Sequence, residues 1–312
     1  MRRGTSRRGS TGTIGILTLF AVLAVCVSPA AAGTGGAPTP TSSPPPPGSG
    51  SGAPAAEPSS GAITLLAAET KPRKSFYFGF RYPRLRFTLG SDQPENDVRI
   101  DVVNGSGEIV RSFYRENLAP NVAYNLRWDG TTAEGKPARN GRYSFRVSPQ
   151  TPAPAARKAT TKTTLALGFK LFGYTFPIPA GHDYGGAMSR FGAGRSGHTH
   201  QGQDVMAACG TPLLAARGGK VQYAGWDDGG GNYIVIDGKG TPNDFVYMHL
   251  VEPALFKEGE TVRTGQPIGF VGTTGSSSAC HLHFEIWAGP GWYEGGSPFD
   301  PLAELQKWDR YS

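Results

Sequence analysis

Polar and apolar residues alternate in several short runs along this chain. Leu85-Arg86-Phe87-Thr88-Leu89, Val98-Arg99-Ile100-Asp101-Val102 and Tyr143-Ser144-Phe145-Arg146-Val147 each place an apolar side chain at every second position. A period of two turns one strand face to a core and the other to solvent, so these runs predict half-buried strands. Asn104-Gly105 and Asn140-Gly141 are turn dipeptides at suitable spacing. Short strands separated by turns predict a β-sandwich over residues 76–148. Further along, Phe245-Val246-Tyr247-Met248-His249-Leu250 and His281-Leu282-His283-Phe284-Glu285-Ile286 repeat the alternation. As a strand, the second run turns Leu282, Phe284 and Ile286 to a core and points His281, His283 and Glu285 together the other way. The first run puts His249 on a strand face. The expected class is mainly β.

The alternation fails in three stretches. Residues 33–62 hold 8 Pro, 7 Gly and 6 Ser, with Glu57 as the single charge. Such a composition cannot build a core, so residues 33–75 are expected to be a mostly disordered spacer, stiff at Pro44 to Pro47 and flexible at Gly48 to Gly52. Residues 149–165, with Pro149, Pro152 and Pro154 ahead of Arg157, Lys158 and Lys162, read as a second linker. A last domain is then expected over residues 166–312. At the start, Arg2, Arg3, Arg7 and Arg8 precede an apolar run of 14 from Ile14 to Val27, and Ala30-Ala31-Ala32 follows. That is the layout of a secretory signal over residues 1–32, and its apolar run is short for a membrane helix. A lipid anchor on Cys26 is the alternative, disfavoured by the bulky Val25 before it.

Charge excludes one class of function. The 312 residues carry 31 Lys+Arg against 24 Asp+Glu, and four of those cations fall in the first 32 residues. The remainder has no basic field of the kind that nucleic-acid binding needs. Beyond the signal segment only Cys209 and Cys280 remain, an even count that in an oxidising compartment favours a disulfide. Closing a loop of about 70 residues stabilises by roughly 4 kcal/mol in the chain-entropy model.

The candidate chemistry lies in the histidines, all six of which fall between positions 182 and 283. His200-Gln201-Gly202-Gln203-Asp204 and His281-Leu282-His283 form two tight groups, with His249 between them. Zinc accepts imidazole nitrogen and carboxylate oxygen in a tetrahedral shell. Two histidines and one aspartate would leave the fourth corner to water, the catalytic pattern, whereas calcium asks for more oxygen ligands. His182 and His198 read as ordinary surface or core residues.

Two resemblances follow from these residues. Trp128-Asp129-Gly130, Gly135 and Asn140-Gly141-Arg142-Tyr143 resemble the Ig-like domain of flagellar hook-capping proteins. Nothing titratable clusters there, so a spacer or docking role is expected, with Trp128 in the core. His200-x-x-x-Asp204, Tyr247-Met248-His249 and His281-Leu282-His283, in that order, resemble lysostaphin-type (LytM-like) zinc metallopeptidases over roughly residues 180–302. Gly210-Thr211-Pro212, Gly218-Gly219-Lys220-Val221, Gly231-Asn232 and Gly272-Thr273-Thr274-Gly275 match the glycine punctuation of that family. The resemblance implies Zn²⁺ held by His200, Asp204 and His283. It makes His249 and His281 the catalytic pair that does not bind metal, and implies a secreted endopeptidase whose partner is the peptidoglycan of the cell wall. His281, two residues from the ligand His283 on one strand face, is assigned the general base, and His249 the group that stabilises the oxyanion or protonates the leaving amine; the sequence leaves exchange of these two roles open. Glu285 reads as a support for the ligands or a structural ion pair. Tyr223, Trp226, Tyr233 and Trp292 would line a substrate groove or fill the core. Two other readings are a silent wall-binding or hydrolase-activating module and a protease of Gly-rich extracellular proteins. No ligand is missing, as it would be in a degenerate member.

Overall fold

The alternating runs become strands in a computed structural model that describes residues 63–150 and 167–312. The first group is β1 (Thr64–Lys71), β2 (Lys74–Phe76), β3 (Arg84–Gly90), β4 (Asn96–Asn104), β5 (Ile109–Leu118), β6 (Ala123–Arg127), β7 (Gly141–Pro149) and β8 (Gly168–Phe172). These make two sheets, ordered β1-β3-β6 and β2-β8-β7-β4-β5. Every second residue of β3, β4 and β7 enters the core between them, among them Phe87, Ile100 and Phe145. Trp128 is fully buried against Tyr143 and Phe169, and its Nε1–H donates to the Thr131 carbonyl at 2.8 Å. It is a core residue. Asn104 makes the β4–β5 turn, its side-chain oxygen accepting the Ser106 and Glu108 N–H groups. Asn140 joins no hairpin; its Oδ1 accepts the Gly173 N–H instead.

The sandwich extends past both expected ends. β1 lies in the stretch read as spacer, where the pairing with β3 supplies the order that composition does not. β8 lies inside the expected last domain, yet pairs with β7 and β2. Its Phe169 and Leu171 fill the sandwich core beside Tyr143, which fixes where the strand must go. The signal segment, most of the spacer and the second linker lie outside the described residues.

The second group is β9 (His182–Asp183), β10 (Gln203–Ala207), β11 (Pro212–Leu214), β12 (Gly219–Asp227), β13 (Gly231–Gly238), β14 (Asp244–Leu250), β15 (Thr261–Val262), β16 (Pro267–Phe270), β17 (His281–Trp287), β18 (Pro298–Phe299) and helix α1 (Leu302–Asp309). The main sheet runs β15-β12-β13-β14-β17-β10-β9, with β18 on β17. One face packs on the β11–β16 pair and α1: Ile234, Phe245, Tyr247, Leu282, Phe284 and Ile286 meet Leu213, Ile268, Leu305 and Trp308. β17 is buried along its whole length, so His281, His283 and Glu285 sit inside the protein on the opposite face. No helix among the described residues is long and apolar enough to cross a membrane.

The two regions are joined by more than chain connectivity. Thr264 donates its Oγ1–H to the Tyr77 carbonyl and its N–H to the Phe78 carbonyl, and accepts the Phe80 N–H. Buried Arg217 lies over the rings of Tyr77 and Tyr174.

Candidate metal centre

Register brings the site together. In the antiparallel β10–β17 pair, Asp204 stands directly opposite His283. His200 arrives on the return leg of a turn in which its N–H donates to the Ala193 carbonyl and its own carbonyl accepts the Gly192 N–H, both at 2.8 Å. Gly202 lies so close to the His283 ring and the Phe284 carbonyl that a Cβ would not fit. The result is a triangle. His200 Nε2, His283 Nδ1 and Asp204 Oδ1 lie 2.9 Å from one another on every side.

The remaining atoms of each group are committed elsewhere. His200 Nδ1–H donates to the Arg190 carbonyl at 2.8 Å, and His283 Nε2–H donates to Glu285 Oε1 at 2.9 Å. Each bond turns the ring so that its inner nitrogen faces the other two groups and supplies a lone pair there whenever that nitrogen carries no proton. Asp204 Oδ2 faces Arg195 at 3.4 Å, and Glu285 also takes the Trp287 indole N–H. Three lone pairs therefore converge on one point. With zinc–ligand bonds near 2.0 Å, a tetrahedral shell has edges of about 3.3 Å, so the triangle needs only slight opening to hold the ion. Among the described residues, His200, Asp204 and His283 are a buried group able to bind a metal.

Electrostatics agree with the geometry. Burial pushes the Asp204 carboxyl up, but hydrogen bonds and charge from His200 and His283 outweigh it and hold Asp204 well below the usual carboxylate range. Burial pushes the His283 imidazole down, but its bonds to Asp204 and Glu285 outweigh this and raise it to about 9. A metal taking Nδ1 must displace that proton.

The two other histidines face the same space. His281 Nδ1–H donates to the Ala279 carbonyl at 2.8 Å, and its Nε2 points to Asp204 Oδ1 at 3.5 Å. His249 Nδ1–H donates to the Thr274 carbonyl at 2.8 Å, and its ring centre lies 4.7 Å from that of His281. Burial holds His249 down to about 4, so it is neutral near pH 7. Strict alternation in β14 would send His249 to the core with Phe245 and Tyr247. A bulge prevents this: pairing with β13 shifts between Asn232 and Ile234, and His249 takes φ of 64°. Met248 and His249 both reach the site face, and Leu250 returns to the core. Gly231 and Gly275 pack backbone to backbone beside it, with no room for a Cβ on either, and so bring the Thr274 carbonyl to His249.

A groove of about 980 Å³ opens over these groups, lined also by Met188, Tyr233, Met248, Trp292 and Tyr293. Residues 198–301 match Peptidase family M23, and residues 84–152 match the FlgD Ig-like domain. Over residues 198–301 the C-terminal region of this chain is similar to peptidase family M23. Lysostaphin of Staphylococcus simulans is 44% identical over 94 residues, 30% of this chain and 19% of that protein. The L-Ala–D-Glu endopeptidase of Bacillus subtilis is 32% identical over 162 residues, 46% of this chain and 48% of that protein. Among solved structures, the catalytic domain of the antimicrobial peptidase lysostaphin from Staphylococcus simulans is 34% identical; the match covers 43% of this chain and 90% of that one, with a TM-score of 0.33. The chain spans about a fifth of the length of the first curated relatives it matches.

All five expected site residues of the M23 domain thus meet in one place. A disulfide joins Cys209 and Cys280, with Cα atoms 5.3 Å apart, and ties the segment after β10 to the residue before His281. Tyr233 and Trp292 line the groove, Tyr223 packs on Trp292 at its edge, and Trp226 is exposed. His182 and His198 stay outside the triangle, bonding to the Ala180 and Ser196 carbonyls. Sequence reasoning missed Arg195, Arg190, Ala279 and Thr274, the last three of which act through backbone carbonyls that carry no residue-type signal.

Proposed function

We propose that this protein is a secreted zinc metalloendopeptidase that hydrolyses peptide bonds of peptidoglycan, in the stem peptide or the cross-bridge. The observation that carries the reading is the convergence of three lone pairs beside two further imidazoles whose Nδ1 atoms are both tied to carbonyls. A relative from Vibrio cholerae, peptidoglycan DD-endopeptidase ShyC, 40% identical over 89 residues, supports the substrate class. His200, Asp204 and His283 would hold the zinc. When bound, zinc supplies Lewis acidity that lowers the pKa of a water and polarises a carbonyl.

The protein's own groups then move protons. His281, with Nε2 unprotonated, takes the proton of the attacking water. His249, kept neutral by burial, offers Nε2 to the same space and shares the transfer of that proton to the leaving amine as the C–N bond breaks. Glu285 and the Arg190 carbonyl hold the ligand rings in place. The signal layout of residues 1–32 and the Pro/Gly/Ser spacer suit an enzyme that works outside the cell in a wall.

The test is to load the full chain with zinc, incubate it with purified sacculi of several wall types, and identify new amino termini by mass spectrometry. His281→Ala should lower the rate by about 10²–10⁴ while keeping zinc and fold. Unchanged release from His281→Ala would sink this assignment.

A further inference from the structure

The groove contains one fixed cation. Of the residues lining it, Arg195 is the sole Lys or Arg. It sits at the tip of the turn that delivers His200: its N–H donates to the His198 carbonyl, and Gly194 bridges Thr199. Its guanidinium is only partly committed. Nη2 donates to the Met188 carbonyl at 2.7 Å and faces Asp204 Oδ2 at 3.4 Å. Nε and Nη1 have no partner among the described residues, and the side chain is partly exposed. The carboxylate beside it, Asp204, is thus already shared with the metal ligands, while half of a planar fork suited to a second carboxylate stays uncommitted on a side chain that lines the groove.

We infer that Arg195 is a specificity residue that binds a free carboxylate on the substrate peptide beside the scissile bond. This rests on the peptidase reading and sharpens it. A peptide carrying such a carboxylate would be preferred over its carboxamide and over an uncharged glycyl chain. A carboxamide keeps the acceptor oxygen but loses the charge, and its NH₂ faces a donor. The discrimination expected from losing one charge-assisted hydrogen bond is about 10–100-fold.

The test uses the zinc-loaded full chain and two synthetic stem peptides that differ only in whether the side carboxyl is free or amidated. For the unaltered protein, kcat/KM should favour the acid by about 10–100-fold. In Arg195→Gln that ratio should fall to about one, and Arg195→Lys, which keeps charge but not the fork, should lie between. Zinc content and thermal melting are measured for each variant. If Arg195 merely orients Asp204, both substrates slow equally, the ratio stays, and the inference is overturned. It is also overturned if the unaltered protein cleaves both peptides alike. Should the unaltered protein cleave neither peptide nor any sacculus, the peptidase reading fails as well.

Discussion

Two buried aspartates, one in each region, show how similar burial leads to different chemistry. Asp101 lies on the outer face of β4, where Arg99, Arg146 and Ser112 donate to its two oxygens at 2.7, 2.9 and 2.7 Å. Burial pushes it up, but the bonds from Ser112, Arg146 and Arg99 outweigh this and lower it. Arginine stays charged at any physiological pH, so this carboxylate is neutralised permanently and needs nothing from outside. Asp204 on β10 is lowered by the same physics with different partners. Its neighbours are imidazoles, which can hold a proton or lend a lone pair, and their inner nitrogens stand 2.9 Å apart. Such a group is completed by a proton or by a metal. The difference between a structural ion pair and a reactive site lies in whether the partner can give up its charge.

Matched substitutions separate the two. Asp204→Asn should abolish stoichiometric zinc by elemental analysis and lower peptidase activity by about 10³-fold or more, since Lewis acidity contributes several kcal/mol. Retained zinc at full activity would equate the two aspartates. Glu285→Gln leaves all three ligands in place but weakens the acceptor for His283, so zinc affinity by chelator competition should drop about 10–100-fold. Asp101→Asn should keep zinc and activity while denaturant unfolding shows a loss of about 1–3 kcal/mol. The smallest effect concerns pH. His283 is raised from 6.5 to about 9, so its contribution to folding is complete below about pH 6.5 and is lost as pH climbs through about 9. Chelator-treated protein should therefore melt at lower temperature at pH 9.5 than at pH 6.5. Zinc, which replaces the proton, should flatten that decline.

The legibility of the two regions also differs. In the M23 domain the strand face of His281, His283 and Glu285 could be read from alternation alone, because β17 is regular along its length. His249 was identified by its place in a motif, but its orientation was not readable, since a bulge and a left-handed residue break the period that any reading relies on. In the sandwich, β3, β4 and β7 follow the pattern, whereas β1 alternates poorly and is held by its partner. The strand β8 has the right pattern in the expected neighbouring domain; its side chains are claimed by the core around Trp128.

By itself, the sequence determined the mainly β class and the even cysteine count, which depend on residue type and short-range spacing, and its resemblance to a known family named the five candidate site residues. Only the tertiary structure decided which imidazole nitrogen faces inward, how His249 reaches the site, and that Arg195 closes on Asp204. Those depend on carbonyls, register shifts and backbone angles contributed by segments distant in the chain, and a linear pattern of side chains carries no record of them.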